Sequence, residues 1–452
     1  MTRTKKKFVI AIVDYLLFFL SLCIVILIRY GVNNFKSEMI QHFPVFSLIY
    51  FLWIIIFYIF ELYDMTHEIL IKNYILAMLI NGAIAVTIFY TVSGLGITPK
   101  TNLLLNLVIF TLLFIPWRSI VSRNFGKIFG RMNVIILGCD EYSLKLANDI
   151  ISNDKMGYKL LGILKDKNAD LSVWLSDKKI KIYNSFDEIK ESIQRKNLHV
   201  VVVNDYWYKH IFTDLYALIF QHIDIYNLPS FSEELNQSIP IYAVDEIWFL
   251  DNLKNVGRSF YEKLKRVTDI FLVLLLLPVF ILVFLFVFIA IKLNSPGSVL
   301  FKQVRVGRND KQFVIYKFRT MIQDAEKNGA QWAVKNDTRI TSVGRFLRLT
   351  RFDELPQIIN VLIGDMSFIG PRPERPEFVD ELVKTVPHYK LRHLVRPGLS
   401  GWAQVKYEYA ATKEESAKKL EYDLFYIKNR SIILDLKIVL KTIMTIVSRR
   451  GQ

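Results

Sequence analysis

The sequence predicts a membrane-bound chain in three parts: an α-helical bundle, an α/β domain with a parallel sheet, and a mostly α-helical domain with one further membrane helix. Three observations predict it. The 452 residues are 52% hydrophobic with a mean hydropathy of +0.28, which excludes a disordered chain and favours membrane association. The middle of the chain alternates short apolar strands with amphipathic helices. The last 190 residues hold 32 Lys and Arg against 18 Asp and Glu, which indicates anionic partners.

The first part is predicted from four apolar segments, each close to the ~20 residues that a helix needs to cross the hydrocarbon core. Basic residues precede the first segment and follow the fourth, so the positive-inside rule puts both ends of this unit in the cytoplasm. No small-residue cleavage site follows the first segment, which argues against a signal peptide. No span shows a charge pair at its centre, so a transport path has no support. The segments are Phe8–Ile28, Pro44–Phe60, Tyr74–Val92 and Leu103–Trp117.

The second part, about residues 132–245, has the strand–helix alternation that is typical of a doubly wound parallel sheet. A dinucleotide site requires several glycines at the first strand–helix turn, but this turn has only Gly138, followed by Asp140 and Glu141. Asp166 is the candidate ribose-binding residue. We interpret the domain as degenerate and Rossmann-like, kept for packing or regulation, with a working NAD site as the alternative. The predicted strands are Val134–Leu137, Leu160–Leu164, Val200–Val203 and Ile223–Asn227, and the predicted helices are Tyr142–Ile151, Phe186–Ile193 and Lys209–Gln221.

The third part opens with the apolar stretch Ile270–Ile291, which is long enough to cross a bilayer as a straight helix. Its flanks are basic on both sides, and Pro278 near its middle removes a backbone donor and favours a kink. We therefore predict a bent helix over residues 267–293 that enters and leaves through the cytoplasmic leaflet. An ordinary fifth span is the alternative.

An adjacent carboxylate pair, Asp353 and Glu354, follows Arg345, Arg348 and Arg351 in a region rich in basic residues and Gly/Pro turns. Guanidinium groups hold phosphate oxygens in a bidentate way, and lysine supplies a point charge. One carboxylate in such a field is expected to keep a low pKa and act as a nucleophile, while the second holds magnesium (Mg²⁺). The alternative is a solvated helix start with neighbouring charges.

Four motifs in this region resemble the bacterial sugar transferase family, the polyprenyl-phosphate glycosyl-1-phosphate transferases. The resemblance covers about residues 263–452, and the complete layout is similar to the large monotopic branch of that family. It implies transfer of a sugar 1-phosphate from a UDP-sugar to undecaprenyl or another polyprenyl phosphate, with release of UMP, at the start of exopolysaccharide, capsule or O-antigen assembly. It also implies a location in the bacterial inner membrane. The motifs are Lys317–Met321, Asp353–Gln357, Asn360–Pro373 and Arg396–Gln404.

By this resemblance, Asp353 is the nucleophile that forms an aspartyl-phosphosugar, and Glu354 positions Mg²⁺, with both carboxylates as candidate metal ligands. Arg396 and Gln404 are candidate nucleotide contacts. The catalytic domain is expected to be mostly α-helical and anchored by a re-entrant membrane helix. The expected partners are a UDP-sugar, polyprenyl phosphate, membrane lipids and a second copy of the chain, but not nucleic acid. The implied phosphate-binding residues are Lys317, Arg319, Arg348 and Arg372, of which Arg319 has pairing with an acid as its alternative.

The predicted boundaries are residues 1–125 for the membrane unit, 126–250 for the Rossmann-like domain, 251–262 for a linker and 263–452 for the catalytic domain. Three other classes compete with a transferase. A membrane sensor or scaffold with an inactive third part is opposed by the intact pair Asp353 and Glu354. Nucleic-acid binding is opposed by basic residues that lie beside turns and acids. A hydride-transfer enzyme is opposed by Asp140 and Glu141.

Overall fold

The computed structural model describes residues 3–63, 71–91, 100–152, 157–165, 180–190, 198–253, 260–322, 339–407 and 413–447. The chain divides into two compact units, Met1–Phe231 and Ser232–Gln452. The first holds the N-terminal apolar helices and the parallel sheet. The second holds the carboxylate pair and the remaining apolar helix.

The first unit begins with helices whose length and composition allow them to cross a membrane. Helical structure extends over Arg3–Ile59, Ile71–Thr91 and Lys100–Phe129. The first stretch is interrupted at Gly31, where the backbone is non-helical with φ 70° and ψ 176°. Four apolar helical segments therefore stand where four spans were predicted.

The break at Gly31 produces a helical hairpin. The hydroxyls of Tyr15 and Ser47 are 2.8 Å apart, and the ring of Phe18 stacks on Tyr50 with centroids 4.9 Å apart. Tyr15 and Ser47 lie on opposite sides of Gly31, each 16 residues from it, so their contact requires the two halves to run antiparallel. The hairpin core is aromatic, so it is packed by large rigid side chains.

A buried ion pair joins the first and last helices of this bundle, but it does not lie at the centre of a predicted span, because Arg118 directly follows the segment Leu103–Trp117. Asp14 accepts a hydrogen bond from Arg118 at 2.5 Å, and the two side chains are 0% and 2% exposed. Trp117 donates to the same carboxylate at 3.2 Å, and Arg118 also lies over the rings of Tyr63 and Phe114. Charges buried among apolar helices persist when they are paired. The pair could not be recognised from the sequence, because 104 residues separate Asp14 from Arg118.

The predicted parallel sheet is confirmed and has one strand more than expected. The strands are β1 Met132–Leu137, β2 Tyr158–Leu164, β3 Lys181–Tyr183, β4 Leu198–Val203 and β5 Asp224–Asn227. Their order in the sheet is β3-β2-β1-β4-β5, and every neighbouring pair is parallel. The extra strand β3 has only three residues, too few for an alternating pattern to reveal. The predicted helix Lys209–Gln221 is confirmed over Phe212–Ile219, but its start differs, because the chain breaks at Ile211 after a separate helix Asp205–His210. The helix Glu141–Ser152 follows β1.

The turn where a dinucleotide would bind this sheet is occupied by the protein's own side chains. A Cβ on Gly138 (φ +117°) would lie 2.2 Å from the side-chain nitrogen of Asn204. That nitrogen donates to Asp140 at 2.8 Å, and Asp140 also accepts from the backbone N–H of Ser143. Side chains thus stand beside the one glycine of the turn and bind one of the free amides in the first turn of the helix, which supports the interpretation of a degenerate domain. The candidate ribose residue, Asp166, lies outside the described residues.

The second unit combines short sheets with helices around an apolar core. Strands β6 Leu300–Val306 and β7 Gln312–Phe318 form an antiparallel pair, and β8 Ser367–Ile369 and β9 Gly398–Ser400 form a parallel pair. The largest fully buried side chain of the core is Trp402, 1% exposed. The helices are Glu246–Asn252, Phe260–Asn294, Ser342–Thr350, Ile358–Ile363, Pro376–Thr385, Trp402–Lys406, Lys413–Asn429 and Ile432–Val447, the helix Leu228–Asn236 crosses the boundary between the units, and 3₁₀ turns cover Arg308–Asp310, Phe352–Gln357 and Tyr389–Leu394.

The helix Phe260–Asn294, called the apolar helix below, runs through Pro278 and contacts the rest of its unit near both ends. Near its start, Arg266 donates to the backbone carbonyls of Val361 and Leu362. At its other end, the side chain of Asn294 donates to the Ser342 hydroxyl at 3.0 Å. The segment between these ends is largely exposed and apolar.

Candidate active site

Asp353 and Glu354 lie on the 3₁₀ turn Phe352–Gln357, directly after the helix Ser342–Thr350. That helix ends at Arg351, whose left-handed backbone (φ 60°) reverses the chain direction. The turn is tied to strand β7 by Asn360, which is fully buried. Its side-chain amide donates to the Val314 carbonyl at 2.7 Å and accepts from the backbone N–H of Tyr316 at 3.2 Å. The carboxylate pair is therefore held beside the strand that carries Lys317.

The helix before the pair packs very closely on the end of β7. A Cβ at Gly344 would lie 2.0 Å from the Thr320 carbonyl oxygen, so only glycine allows this approach. The approach lets the Arg348 Nε–H donate to the Thr320 hydroxyl at 3.0 Å. Arg348 thereby comes close enough to Asp353 to lower its pKa.

Glu354 is surrounded by basic side chains. Its Oε1 is 2.7 Å from Arg372, 3.6 Å from Lys317 and 4.0 Å from Arg351. Although burial alone would raise the pKa of the Glu354 carboxyl, the neighbouring Arg372 and Lys317 hold it well below its usual range. Glu354 is thus the more readily ionised carboxyl of the pair.

The pKa of Asp353 is shifted in the opposite direction. Burial raises the pKa of its carboxyl and the adjacent Glu354 raises it further, against the lowering effect of Lys317, Arg372 and Arg348. The low pKa expected for this carboxyl was therefore wrong, because burial and the adjacent Glu354 outweigh the lowering effect of the three cations. Its Oδ1 is buried without a hydrogen-bond partner among the residues described. A buried carboxylate oxygen without a donor is a costly arrangement and leaves that atom available for chemistry.

Of the other three predicted site residues, Arg319 is held elsewhere. Its guanidinium donates to the carbonyls of Ser295 and Pro296 at 2.8 Å each, just beyond the apolar helix, and to no acid among the described residues. Arg396 is half-buried. The Gln404 amide donates to the Leu399 carbonyl at 3.5 Å, while its Oε1 is buried with no partner among the described residues. Lys317, Arg348 and Arg372 therefore lie close to the carboxylates, whereas Arg319 contacts the backbone at the end of the apolar helix.

Sequence reasoning missed Thr320 as the partner of Arg348 and Arg392 as a contact of the Arg372 backbone. Thr320 lies within the motif Lys317–Met321, so its position beside the basic residues Lys317 and Arg319 was the signal that could have identified it. The sequence gives no signal for the role of Arg392, because the Arg372 carbonyl and the Asp423 carboxylate that it binds lie 20 and 31 residues away.

The residues at this site fit a magnesium ion. Mg²⁺ is commonly held by one or two carboxylates together with substrate phosphates. The described part of the chain has no group of three or more His, Cys, Asp or Glu side chains in a metal-binding arrangement, so among the described residues Asp353 and Glu354 are the candidate protein ligands. The buried Asp353 Oδ1 without a donor is the kind of oxygen ligand that this ion takes.

Comparison with known proteins finds one matching family model and several similar proteins. The family model of the bacterial sugar transferases matches residues 260–449. The UDP-N-acetylgalactosamine-undecaprenyl-phosphate N-acetylgalactosaminephosphotransferase of Aeromonas hydrophila is 46% identical over 231 residues, which are 51% of this chain and 54% of that protein. The UDP-glucose:undecaprenyl-phosphate glucose-1-phosphate transferase of Escherichia coli K12 is 43% identical over 183 residues, 40% of this chain and 39% of that protein.

A shorter relative is matched over nearly its whole length. The exopolysaccharide production protein PSS of Rhizobium leguminosarum is 43% identical over 195 residues, which are 41% of this chain and 96% of that protein. The chain spans only about half, or less, of the length of the Aeromonas and Escherichia proteins. The family match, residues 260–449, lies in the unit that holds Asp353 and Glu354.

Proposed function

This chain belongs to the bacterial sugar transferase family, and we propose that it transfers a sugar 1-phosphate from a UDP-sugar to undecaprenyl or another polyprenyl phosphate, releasing UMP. This step would start exopolysaccharide, capsule or O-antigen assembly. The observation that carries the proposal is the half-buried Asp353, whose buried Oδ1 has no hydrogen-bond partner among the described residues, beside Glu354, which lies close to Arg372 and Lys317. The names of the relatives, which act on UDP-sugars and undecaprenyl phosphate, support the substrate classes.

The proposed chemistry has two displacements at one phosphorus atom. The Asp353 carboxylate oxygen attacks the sugar-bearing phosphorus, the bond from that phosphorus to the bridging oxygen breaks, and UMP leaves with the bond electrons. A phosphate oxygen of the polyprenyl phosphate then attacks the same phosphorus and releases the carboxylate. Lys317, Arg348 and Arg372 would hold the phosphate oxygens, since guanidinium and ammonium groups stabilise the charge that develops there.

Magnesium belongs to the proposal as a cofactor, held by Asp353 and Glu354 together with the diphosphate of the donor. When bound, it would neutralise charge on the phosphate oxygens. Arg396 and Gln404 are proposed nucleotide contacts, and the buried, unpartnered Oε1 of Gln404 is an acceptor that an N–H of the base would satisfy.

The apolar helix is proposed to be re-entrant, with this domain on the cytoplasmic face of the inner membrane. Both ends of the helix contact the same unit, through Arg266 at one end and Asn294 at the other. A helix that crossed the bilayer would carry its two ends to opposite sides. Its exposed apolar middle suits contact with lipid tails.

We expect both ends of the apolar helix to face the cytoplasm. In a variant whose two natural cysteines are replaced by serine, Lys263→Cys and Asn294→Cys should each react with a membrane-impermeant maleimide only after the cells are permeabilised. Lys36→Cys, in the predicted outer loop, is the control and should react in intact cells. Labelling of only one helix end in intact cells would establish an ordinary span.

The pH dependence of UMP release should report the carboxylate pair. The nucleophile must be ionised, so kcat/KM falls as the pH drops through the raised pKa of Asp353, above the ~4 of an ordinary aspartate. Glu354→Gln removes the adjacent negative charge and should move this acid limb to lower pH, whereas Lys317→Met removes a cation and should move it to higher pH. Shifts of both variants in the same direction would contradict the assignment.

The proposed function is tested by measuring UMP release from a panel of UDP-sugars with undecaprenyl phosphate and Mg²⁺. Release from one donor that depends on the prenyl acceptor would establish the reaction class and identify the sugar. Folded protein in lipid that releases UMP from none of the donors would instead favour a sensor or scaffold.

A further inference from the structure

The segment Pro371–Glu374 is fixed through its backbone carbonyls. Proline has no backbone N–H, so Arg372 supplies the one amide donor among residues 371–373. Four successive carbonyls accept hydrogen bonds: the Pro371 oxygen from the Gly398 N–H at 2.9 Å and the Glu374 oxygen from the Val306 N–H at 2.9 Å. The two carbonyls between them, of Arg372 and Pro373, accept from the side chains of Arg392 and Arg305 at 3.0 and 3.1 Å.

Arg392 is held in turn by groups that leave it little freedom. Its side chain is 5% exposed, and it pairs with Asp423 at 2.8 Å, a carboxylate that is itself buried. One of its N–H groups also donates to the Tyr389 hydroxyl at 2.6 Å. The nitrogen that binds Asp423 is the one that reaches the Arg372 carbonyl, so the carboxylate orients the donor that fixes this backbone.

We propose that Arg392, oriented by Asp423, is a positioning residue that sets where the Arg372 guanidinium stands at the carboxylate pair. The chain of contacts runs from Asp423 to Arg392, from Arg392 to the Arg372 carbonyl, and from the Arg372 side chain to Glu354 at 2.7 Å. The inference rests on the proposed function, because it takes Arg372 to hold a substrate phosphate.

The substitution Arg392→Lys separates the positioning role of this side chain from its charge. It keeps one positive charge beside Asp423, but a single ammonium lacks the rigid fork that serves Asp423, Tyr389 and a backbone carbonyl together. Arg430 offers a matched control. It is 7% exposed and pairs with Glu262, donates to the Ile427 carbonyl and lies over the ring of Tyr261, but it has no contact with Arg372 or its neighbours.

The experiment measures UDP affinity by calorimetry, with Mg²⁺, and thermal unfolding of the full chain in lipid nanodiscs. We expect Arg392→Lys and Arg430→Lys to lower the unfolding temperature similarly, while only Arg392→Lys weakens UDP binding, by about tenfold or more. In the Arg372→Lys background, Arg392→Lys should have almost no further effect on UDP affinity, because coupled residues are not additive.

Equal UDP affinity in Arg392→Lys and Arg430→Lys would overturn the inference, as would fully additive losses with Arg372→Lys. Wild-type protein that does not bind UDP would overturn it too, since Arg372 would then have no phosphate to hold. Wild-type protein that binds UDP but releases UMP from no donor would reject the transferase proposal and leave the Arg392 comparison decisive.

Discussion

Asp353→Asn should reduce UMP release by at least about 10³-fold, the loss expected when a covalent nucleophile is removed. Asparagine has nearly the same size and shape, but its amide cannot attack phosphorus. The 3₁₀ turn that carries this side chain is fixed by the left-handed backbone of Arg351 before it and by the Asn360 contacts after it, so the variant should keep its fold. The measurement is UMP release from the active donor, together with thermal unfolding and membrane insertion.

A covalent intermediate gives this prediction a second readout. With a donor labelled in its sugar phosphate, wild-type protein should retain label after denaturation, and Asp353→Asn should retain none. Asp380→Asn, an exposed carboxylate on the helix Pro376–Thr385, is the control and should behave as wild type. Normal turnover or retained label in Asp353→Asn would remove Asp353 from its assigned role.

Arg372→Met should lower kcat/KM by about 10²–10³-fold, the range observed when one charge-stabilising donor is lost. The change removes a proposed phosphate-binding group and leaves Glu354 without its partner at 2.7 Å. Arg372→Lys should recover part of the loss, because lysine restores the charge but not the bidentate geometry. The measurement is the kinetics of UMP release over a range of donor concentrations.

Arg375→Met is the control for this prediction. Arg375 stands three residues further on, pairs with Glu377 at 3.8 Å and lies over the ring of Phe378, so its loss tests the stability of the same segment. An equal fall in kcat/KM for both variants would mean that the segment unfolds, and would remove the specific role of Arg372.

The candidate site was largely predictable from the sequence, but its electrostatics was not. Adjacent acids in a basic, Gly- and Pro-rich region identified Asp353 and Glu354. That Glu354 takes the cations, while the pKa of Asp353 is raised, depends on Arg372 approaching from 18 residues away. The resemblance implied that Arg319 binds phosphate, but Arg319 lies just after β7, which ends at Phe318. There its guanidinium donates to the Ser295 and Pro296 carbonyls beyond the end of the apolar helix.

The sequence by itself determined the apolar helices, the strands of the parallel sheet long enough to show a pattern, and the carboxylate pair with its basic surroundings. Periodicity and residue chemistry are properties of neighbouring residues, so they can be seen without the fold. Only the tertiary structure decided which charges pair: Asp14 with Arg118, Glu354 with Arg372, and Asp423 with Arg392. The physical reason is that an ion pair requires its two groups to come within a few ångströms, and that distance is set by the packing of segments 18 to 104 residues apart.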